Sequence, residues 1–440
     1  MKSDGVYPVA IIGGGYSGTI LAAQLARRGT AALLIDGSGA IGRGVAYSTT
    51  DGAHLLNVRA EAMSAWAGEP DDFARYLAAS GGGDRRDFAE RRLFGRYLGE
   101  ILDAAVASGA TDVAQATATS AERVDGAWRI TLDNGQTVRA QALALALGNQ
   151  APEPLKAFAD TGDRFITNPW GPEARSAVAD LAHSGEPALL VGTGLTMVDV
   201  VLSLDSAGHR GPILALSRRG LIPRGHADFE PAPVALDALP AGDLAALFRW
   251  LRRRSATTGW RAAIEGLRPH SQALWQGLPL EQQHRFLRHA RPWWDVHRHR
   301  IAPQVAQLLA QMIGEGRLSV AAGRILSASA SGPALQVDYR RRGAQSAQSA
   351  RFAYAFNCTG PLHAIMHSRD SLLRGLLETG EIAPDQLGIG VDVDRQSRAG
   401  KRLWALGPLT KGRYWEIVAV PDIREQAAAV ADDIQLELGA

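Results

Sequence analysis

One order of apolar and polar positions occurs twice along this chain: a short apolar run, a glycine-rich turn, then apolar residues at helical spacing. Val9-Ala10-Ile11-Ile12 leads into Gly13-Gly14-Gly15-Tyr16-Ser17-Gly18, after which Ile20, Leu21 and Leu25 share a helix face. Arg27-Arg28-Gly29 provides a basic last turn and a glycine stop, and Ala31 to Ile35 forms the next strand, ending at Asp36. Ala188-Leu189-Leu190-Val191 leads in the same way into Gly192-Thr193-Gly194-Leu195-Thr196-Met197. The strand that follows, Pro212 to Ser217, ends in Arg218-Arg219 rather than an acid.

Each of these openings precedes alternating, strand-like segments. In the first half they are Val113 to Thr119, Trp128 to Leu132 and Ala142 to Leu147, with a turn at Asp133-Asn134-Gly135. In the second they are Leu318 to Ala322, Leu335 to Arg340 and Phe352 to Cys358, with a turn at Gly343. Asn-Gly or a lone glycine between alternating strands predicts hairpins. The chain therefore reads as α/β, with two Rossmann-like dinucleotide-binding domains, each carrying a β-meander. Between them, Leu244, Leu247, Phe248 and Leu251, then Val305, Leu308, Leu309 and Met312, repeat at helical spacing. Residues 241–314 also hold Trp250, Trp260, Trp275, Trp293 and Trp294, half of the chain's ten tryptophans. This region predicts a helical insertion over the site. His297, Arg298, His299 and Arg300 are its candidates for anion or substrate contact, and a tryptophan-packed helical core is the plainer alternative.

The glycine turns carry the chemistry. Gly13 permits the bend out of the strand, Gly15 lets backbone approach a pyrophosphate, and Gly18 lets helix pack on strand. The helix N-terminus offers free N–H groups and a positive dipole end to phosphate. Asp36 stands where such folds present a carboxylate to a ribose hydroxyl pair. At the second turn, Gly192, Gly194 and Thr196 face the same task. Arg218 and Arg219 are suited to the 2′-phosphate of NADP, which favours NADPH, with NADH also compatible.

Composition narrows the reading. The 440 residues exceed one domain's usual size and carry 47 basic against 45 acidic side chains, a formal charge of +2. No basic block interleaved with aromatics argues for nucleic acid, and Arg252-Arg253-Arg254 reads as a solvated helix face. The apolar stretch near residues 8–26 is broken by glycines, so it predicts neither a signal peptide nor a membrane span; a cytoplasmic location is expected. The single cysteine, Cys358, excludes a Cys-x-x-Cys electron relay and sits in an apolar strand, where packing is its simplest role. No cluster has metal-ligand spacing, so no metal is expected.

The turns, together with Gly44-Val45-Ala46-Tyr47-Ser48-Thr49, His54 to Val58, Leu145 to Asn149, Asn168-Pro169-Trp170, Ser217 to Gly220, His297 to Arg300 and Trp415 to Pro421, resemble the two-dinucleotide-domain flavoproteins. More narrowly, the chain is similar to a bacterial FAD/NAD(P)-binding protein family related to N-hydroxylating, Baeyer–Villiger and flavin-containing monooxygenases. The resemblance implies FAD on the first turn and NADPH on the second. It extends the FAD set, Gly13, Gly15, Tyr16, Ser17, Gly18 and Asp36, to Tyr47, Asn57, Gly148, Gly407, Pro421 and Ile423. Pro421 opens a last helix whose N-terminus would face the flavin pyrimidine and stabilise its reduced form. It also implies a discontinuous FAD domain, 1–150 and 351–440, with an inserted NAD(P) domain of 185–240 and 315–350 around the helical insertion 241–314.

The implied activity is an oxidoreductase in which NADPH reduces FAD, and a flavin C4a-hydroperoxide formed with molecular oxygen hydroxylates or oxygenates a small organic substrate. Two alternatives stand: an NAD(P)H-dependent reductase or dehydrogenase without oxygen insertion, and a non-catalytic flavin redox sensor. No triad or carboxylate pair assigns a catalytic residue. Asn57, Trp415 and His297 are the candidates, and oligomeric state and substrate stay open.

Overall fold

A computed structural model describes residues 5–439, so residues 1–4 and 440 of the expected outer segments lie outside it. The first lobe contains β1 (Val6–Ile12), β2 (Ala32–Ile35), β3 (Thr111–Ala114), β4 (Ala118–Val124), β5 (Ala127–Leu132) and β6 (Thr137–Leu145). β1 lies between β2 and β6 in parallel register, and β2 pairs in parallel with β3. β6 also pairs antiparallel with β5, and β5 with β4, which completes the meander. Asn134-Gly135 makes its tight turn, with Gly135 at φ +81° and its N–H donating to Leu132 O at 3.0 Å. The stretch Val113 to Thr119, expected as one strand, is two. The Ala116 N–H folds back onto Ala114 O at 3.0 Å, which frees β4 to leave β2 and pair with β5.

The second lobe contains β7 (Phe165–Ile166), β8 (Ala188–Val191), β9 (Ile213–Ser217), β10 (Leu318–Ser331), β11 (Ala334–Arg341), β12 (Gln348–Phe352) and β13 (Tyr354–Asn357). Its sheet order is β12-β11-β10-β9-β8-β13-β7. β10 serves two sheets of contacts at once: Leu318–Ala322 pairs in parallel with β9, and Gly323–Ser331 pairs antiparallel with β11. The chain then returns to the first lobe, where β14 (Arg398–Gly400) and β15 (Leu403–Ala405) extend the sheet beside β6.

These pairings correct two expected bounds. β13 lies parallel to β8, so the return to the first sheet comes after Asn357 and not at 351. The helix Pro303–Gly314 is not part of the insertion. Its Val305, Leu309 and Met312 pack under the second sheet with Met197 and Val201, as the crossover that parallel β9 and β10 require. The helices from Leu244–Thr258 to Arg291–Arg298 are the true insertion, around a small core of Leu244, Trp275, Leu278 and Phe286. Trp275 and Trp294 are thus packing residues, and Trp293 is exposed.

The first helix, Tyr16–Arg27, is buried along its length from Tyr16 to Leu25. Ile20, Leu21 and Leu25 meet Val9 and Ile11 of β1, Phe94 and Leu98 of the helix Arg91–Ala107, and Ala427, Val430 and Ile434 of the last helix, Val420–Leu438. The lobes are joined by a buried ion pair. Arg91 Nη1 and Nη2 donate to Asp199 Oδ2 and Oδ1, both at 2.9 Å. His54 Nε2 also meets Asp199 O and Ser203 Oγ, each at 3.1 Å.

Candidate functional site

The first turn is shaped by close approach. A Cβ on Gly18 would stand 1.9 Å from Gly13 O, and one on Gly13, at φ +103°, would stand 2.5 Å from Ala146 O. Helix start, strand end and the Ala146–Gly148 segment therefore meet only because glycines stand there. The first intrahelical bond is Thr19 N–H to Gly15 O at 3.0 Å, which leaves the Tyr16, Ser17 and Gly18 N–H groups without an intrahelical acceptor. Asp36 closes the turn: its Oδ2 accepts from Gly14 N–H at 2.6 Å and its Oδ1 from Ser38 N–H at 2.7 Å. Each oxygen keeps a further lone pair for a hydroxyl.

The other residues grouped with this turn converge on it. A Cβ on Gly407, at φ +64°, would meet Ser17 Oγ at 2.5 Å and the Ile423 side chain at 3.9 Å. Tyr16 O–H donates to Val420 O at 3.3 Å, beside Pro421 in the first turn of the last helix. The Tyr16 and Tyr47 rings lie 6.3 Å apart edge to face. Burial pushes the Tyr47 phenol up to about 12, so it stays a neutral donor. Gln426 was not legible in the sequence. Its Oε1 accepts from Gly407 N–H at 2.7 Å, and its Nε2 donates to Ser397 Oγ and Thr410 Oγ1, tying the glycine to the last helix.

Between the lobes lies a cavity of about 1930 Å³. Tyr47, Asn57, Trp415 and Val420 face it from the first-lobe side and the last helix. Gly192, Gly194, Thr196, Arg218 and Arg219 face it from the second lobe. Gly192, at φ +118°, lies so close to the residue that follows β13 that a Cβ would stand 2.1 Å from Cys358 O, whereas a Cβ on Gly194 would meet nothing within 4 Å. That open space lies above the start of the helix Leu195–Ser206. Arg218 is exposed at the strand end, and Arg219 Nη2 donates to His289 O at 3.3 Å. Lys156 and Arg324 also line this side and were missed, because neither belongs to a turn or strand-end pattern.

His297 is not brought into the cavity. Its Nδ1 meets Trp293 O at 2.8 Å and its ring packs against Trp260 at 4.9 Å. Arg298, His299 and Arg300 do line the cavity. Arg298 Nε donates to the buried Glu416 Oε2 at 2.8 Å, and Trp294 Nε1 donates to Glu416 Oε1. Glu416 sits at φ +70°, a left-handed conformation costing on the order of 1–3 kcal/mol, which these two partners hold in place. That fixes neighbouring Trp415, whose ring stacks on Trp275 at 4.8 Å and whose Nε1 is buried with no partner among the described residues. Asn57 is anchored through its backbone, its O lying 2.9 Å from His226 Nε2.

Two further cavity groups have shifted protonation. Burial, helped by the Arg291 charge, lowers the Lys411 ammonium to about 8, and its Nζ donates to Leu362 O at 3.1 Å. Burial and the same arginine lower His363 to about 4, so it is neutral at physiological pH. Cys358 is buried, and burial followed by the Asp199 charge raises its thiol far above the reactive range. Among the described residues no group of His, Cys, Asp and Glu could hold a metal ion, and no helix is long and apolar enough to cross a membrane.

Residues 10–150 match the model of a family described as FAD-NAD(P)-binding. No curated protein matches the chain by sequence. Among solved structures, L-lysine 6-monooxygenase from Pseudomonas syringae has a TM-score of 0.68 at 19% identity, over 98% of this chain and 99% of that one. Ornithine hydroxylase from Pseudomonas aeruginosa has a TM-score of 0.66 at 14% identity, over 98% and 100%. Thioredoxin reductase from Lactococcus lactis has a TM-score of 0.56 at 12% identity, over 98% and 99%. At these identities the likeness is one of fold, and the fold is that of the two-dinucleotide-domain flavoproteins.

Proposed function

We propose that this chain, whose residues 10–150 form an FAD-NAD(P)-binding domain, is an FAD-dependent oxidoreductase reduced by NADPH, acting as a monooxygenase on a small organic substrate. The observation that carries the reading is the shared cavity. The open Gly194 turn and Arg218 face the same space as Tyr47, Trp415 and the start of the last helix. A hydride donor held by the second-lobe wall would face the space that a flavin held by the first lobe would border.

The residues present fit both cofactors. Gly13, Gly15 and Gly18 would admit the FAD pyrophosphate, Asp36 its ribose, and Gly407 with Ile423 the flavin ring beside the positive end of the Val420–Leu438 helix. Gly192, Gly194, Thr196, Arg218 and Arg219 would hold NADPH. Bound FAD supplies hydride acceptance and oxygen activation, and the chain's own groups do the rest. Tyr47 stays protonated, Trp415 walls the pocket, and the helix dipole favours negative charge at its N-terminus.

The solved monooxygenases of this fold act on the amines ornithine and lysine, as their names state, which supports oxygen insertion over simple reduction. The single buried cysteine weighs against the disulfide chemistry of the thioredoxin reductase that shares the fold. The runner-up is a reductase passing electrons to an organic acceptor. Reducing the FAD-loaded protein anaerobically with NADPH and then mixing with oxygen separates the two. A transient absorbing at shorter wavelength than oxidised flavin is the expected result. Direct return to oxidised flavin with stoichiometric peroxide favours the runner-up, and failure of NADPH to reduce the flavin sinks both.

Arg218 gives a second test. Arg218→Ala is expected to raise the Kd of NADPH by about tenfold or more while leaving NADH within about twofold, since only the former has a 2′-phosphate to lose. Equal effects on the two nucleotides, measured by stopped-flow flavin reduction, remove that role.

A further inference from the structure

The cavity wall formed by the helical insertion holds more buried positive charge than it has partners for. Arg300 is only 3% exposed, and one of its three guanidinium nitrogens is satisfied: Nη2 donates to Glu265 Oε2 at 2.5 Å. Its Nε and Nη1 are buried with no acceptor among the described residues. Glu265 is shared, because Arg268 Nη1 donates to its Oε1 at 3.3 Å. Arg261 adds a third cation. Its Nη2 donates to Gly225 O at 2.9 Å, and its Nε is also buried without an acceptor.

The surroundings make up the deficit only in part: Asp422 feels the charges of Arg268 and Arg298, but among the described residues no carboxylate besides Glu265 pairs with Arg300. Arg298 is already paired with Glu416. His226 is neutral at physiological pH, because burial and then the Arg300 charge lower it to about 4. Asp228 is engaged elsewhere, by Arg59 and Arg86. Glu265 thus serves both Arg300 and Arg268, with Arg261 close by and held only by a carbonyl, an arrangement that burial makes costly unless a further anion completes it. Arg300, Arg268, Glu265 and His226 all line the cavity, and the Phe229 ring lies 5.8 Å from the Arg300 guanidinium carbon.

We propose that this corner is a carboxylate subsite, in which Arg300 with Arg268 takes an acid group of the substrate while Phe229 borders its apolar part. The substrate class is then a small organic acid, with the atom to be oxidised directed away from the insertion toward the Tyr47 side. The word substrate rests on the oxidoreductase reading above; the binding of an acid does not.

Benzoate and benzamide, alike in shape and different in charge, are suitable probes. The melting temperature of the FAD-loaded full chain is followed against each at constant ionic strength. Benzoate is expected to raise it saturably and benzamide to leave it unchanged. Arg300→Gln is expected to weaken benzoate by about tenfold or more, as loss of a charge-assisted contact predicts. Glu265→Gln, which removes the competing carboxylate, is expected to tighten benzoate, and it decides the matter alone if Arg300→Gln does not fold. Equal response to both probes, or benzoate affinity unchanged in the variants, overturns the subsite. So does an Arg300→Gln variant that loses NADPH affinity and keeps benzoate, since the anion is then a cofactor phosphate. Failure of NADPH to reduce the flavin leaves the melting result untouched, so the two readings fail separately.

Discussion

Asp199→Ala is expected to lower stability toward chemical denaturation by about 3–5 kcal/mol, the usual cost of leaving one member of a buried ion pair alone. Arg91 and Asp199 side chains are 12% and 6% exposed, and two bonds of 2.9 Å join them across the lobes. The variant would leave the Arg91 guanidinium with Leu55 O as its remaining acceptor. Asp199→Leu combined with Arg91→Met is expected to recover much of the loss, because no unpaired charge then stays behind. A single-variant cost below about 1 kcal/mol would mean that water reaches the pair and that other contacts join the lobes.

Gly13→Ala and Gly194→Ala are expected to differ sharply. At Gly13 the backbone is left-handed and the new methyl would stand 2.5 Å from Ala146 O, so the turn must open. FAD content after purification should fall to about a tenth or less of the wild-type level, with several kcal/mol of stability lost. At Gly194 the backbone is extended and the methyl meets nothing. Gly194→Ala should therefore fold and hold FAD normally while NADPH binding weakens by about tenfold, because the methyl occupies the approach of the pyrophosphate. Full NADPH affinity in Gly194→Ala would remove the second turn from the cofactor site.

Local structure was legible in the sequence and long-range placement was not. The two turns, Asp36, the Asn134-Gly135 hairpin and the helix at Leu244 follow from backbone requirements within a few residues, and all stand where the pattern put them. The pattern marks Phe352 to Cys358 as the return strand of the second half, yet a bound at 351 severs it from β8, the partner of β13, because an apolar strand carries no mark of its neighbour. Pro303–Gly314 looks like the insertion's other helices until its apolar face is seen under β9 and β10. In His297-Arg298-His299-Arg300 no apolar residue sets a phase, and the helix ends at Arg298, so sequence could not say that 297 turns to Trp260 while the next three turn inward. The side-chain roles of Glu416 and Gln426 gave no signal, since they lie in partners far along the chain.

Distance along the chain has a further consequence. The first lobe closes with β15 beside β6 and the Val420–Leu438 helix across Tyr16–Arg27, where Arg28 and Asp432 meet although 404 residues separate them. The second lobe's sheet is drawn from one continuous stretch, Phe165 to Asn357. During synthesis the second lobe can therefore assemble while the first still lacks a strand and a helix layer. The first glycine turn is translated early and finished late, so a cofactor held there would join a protein whose other lobe can already be in place.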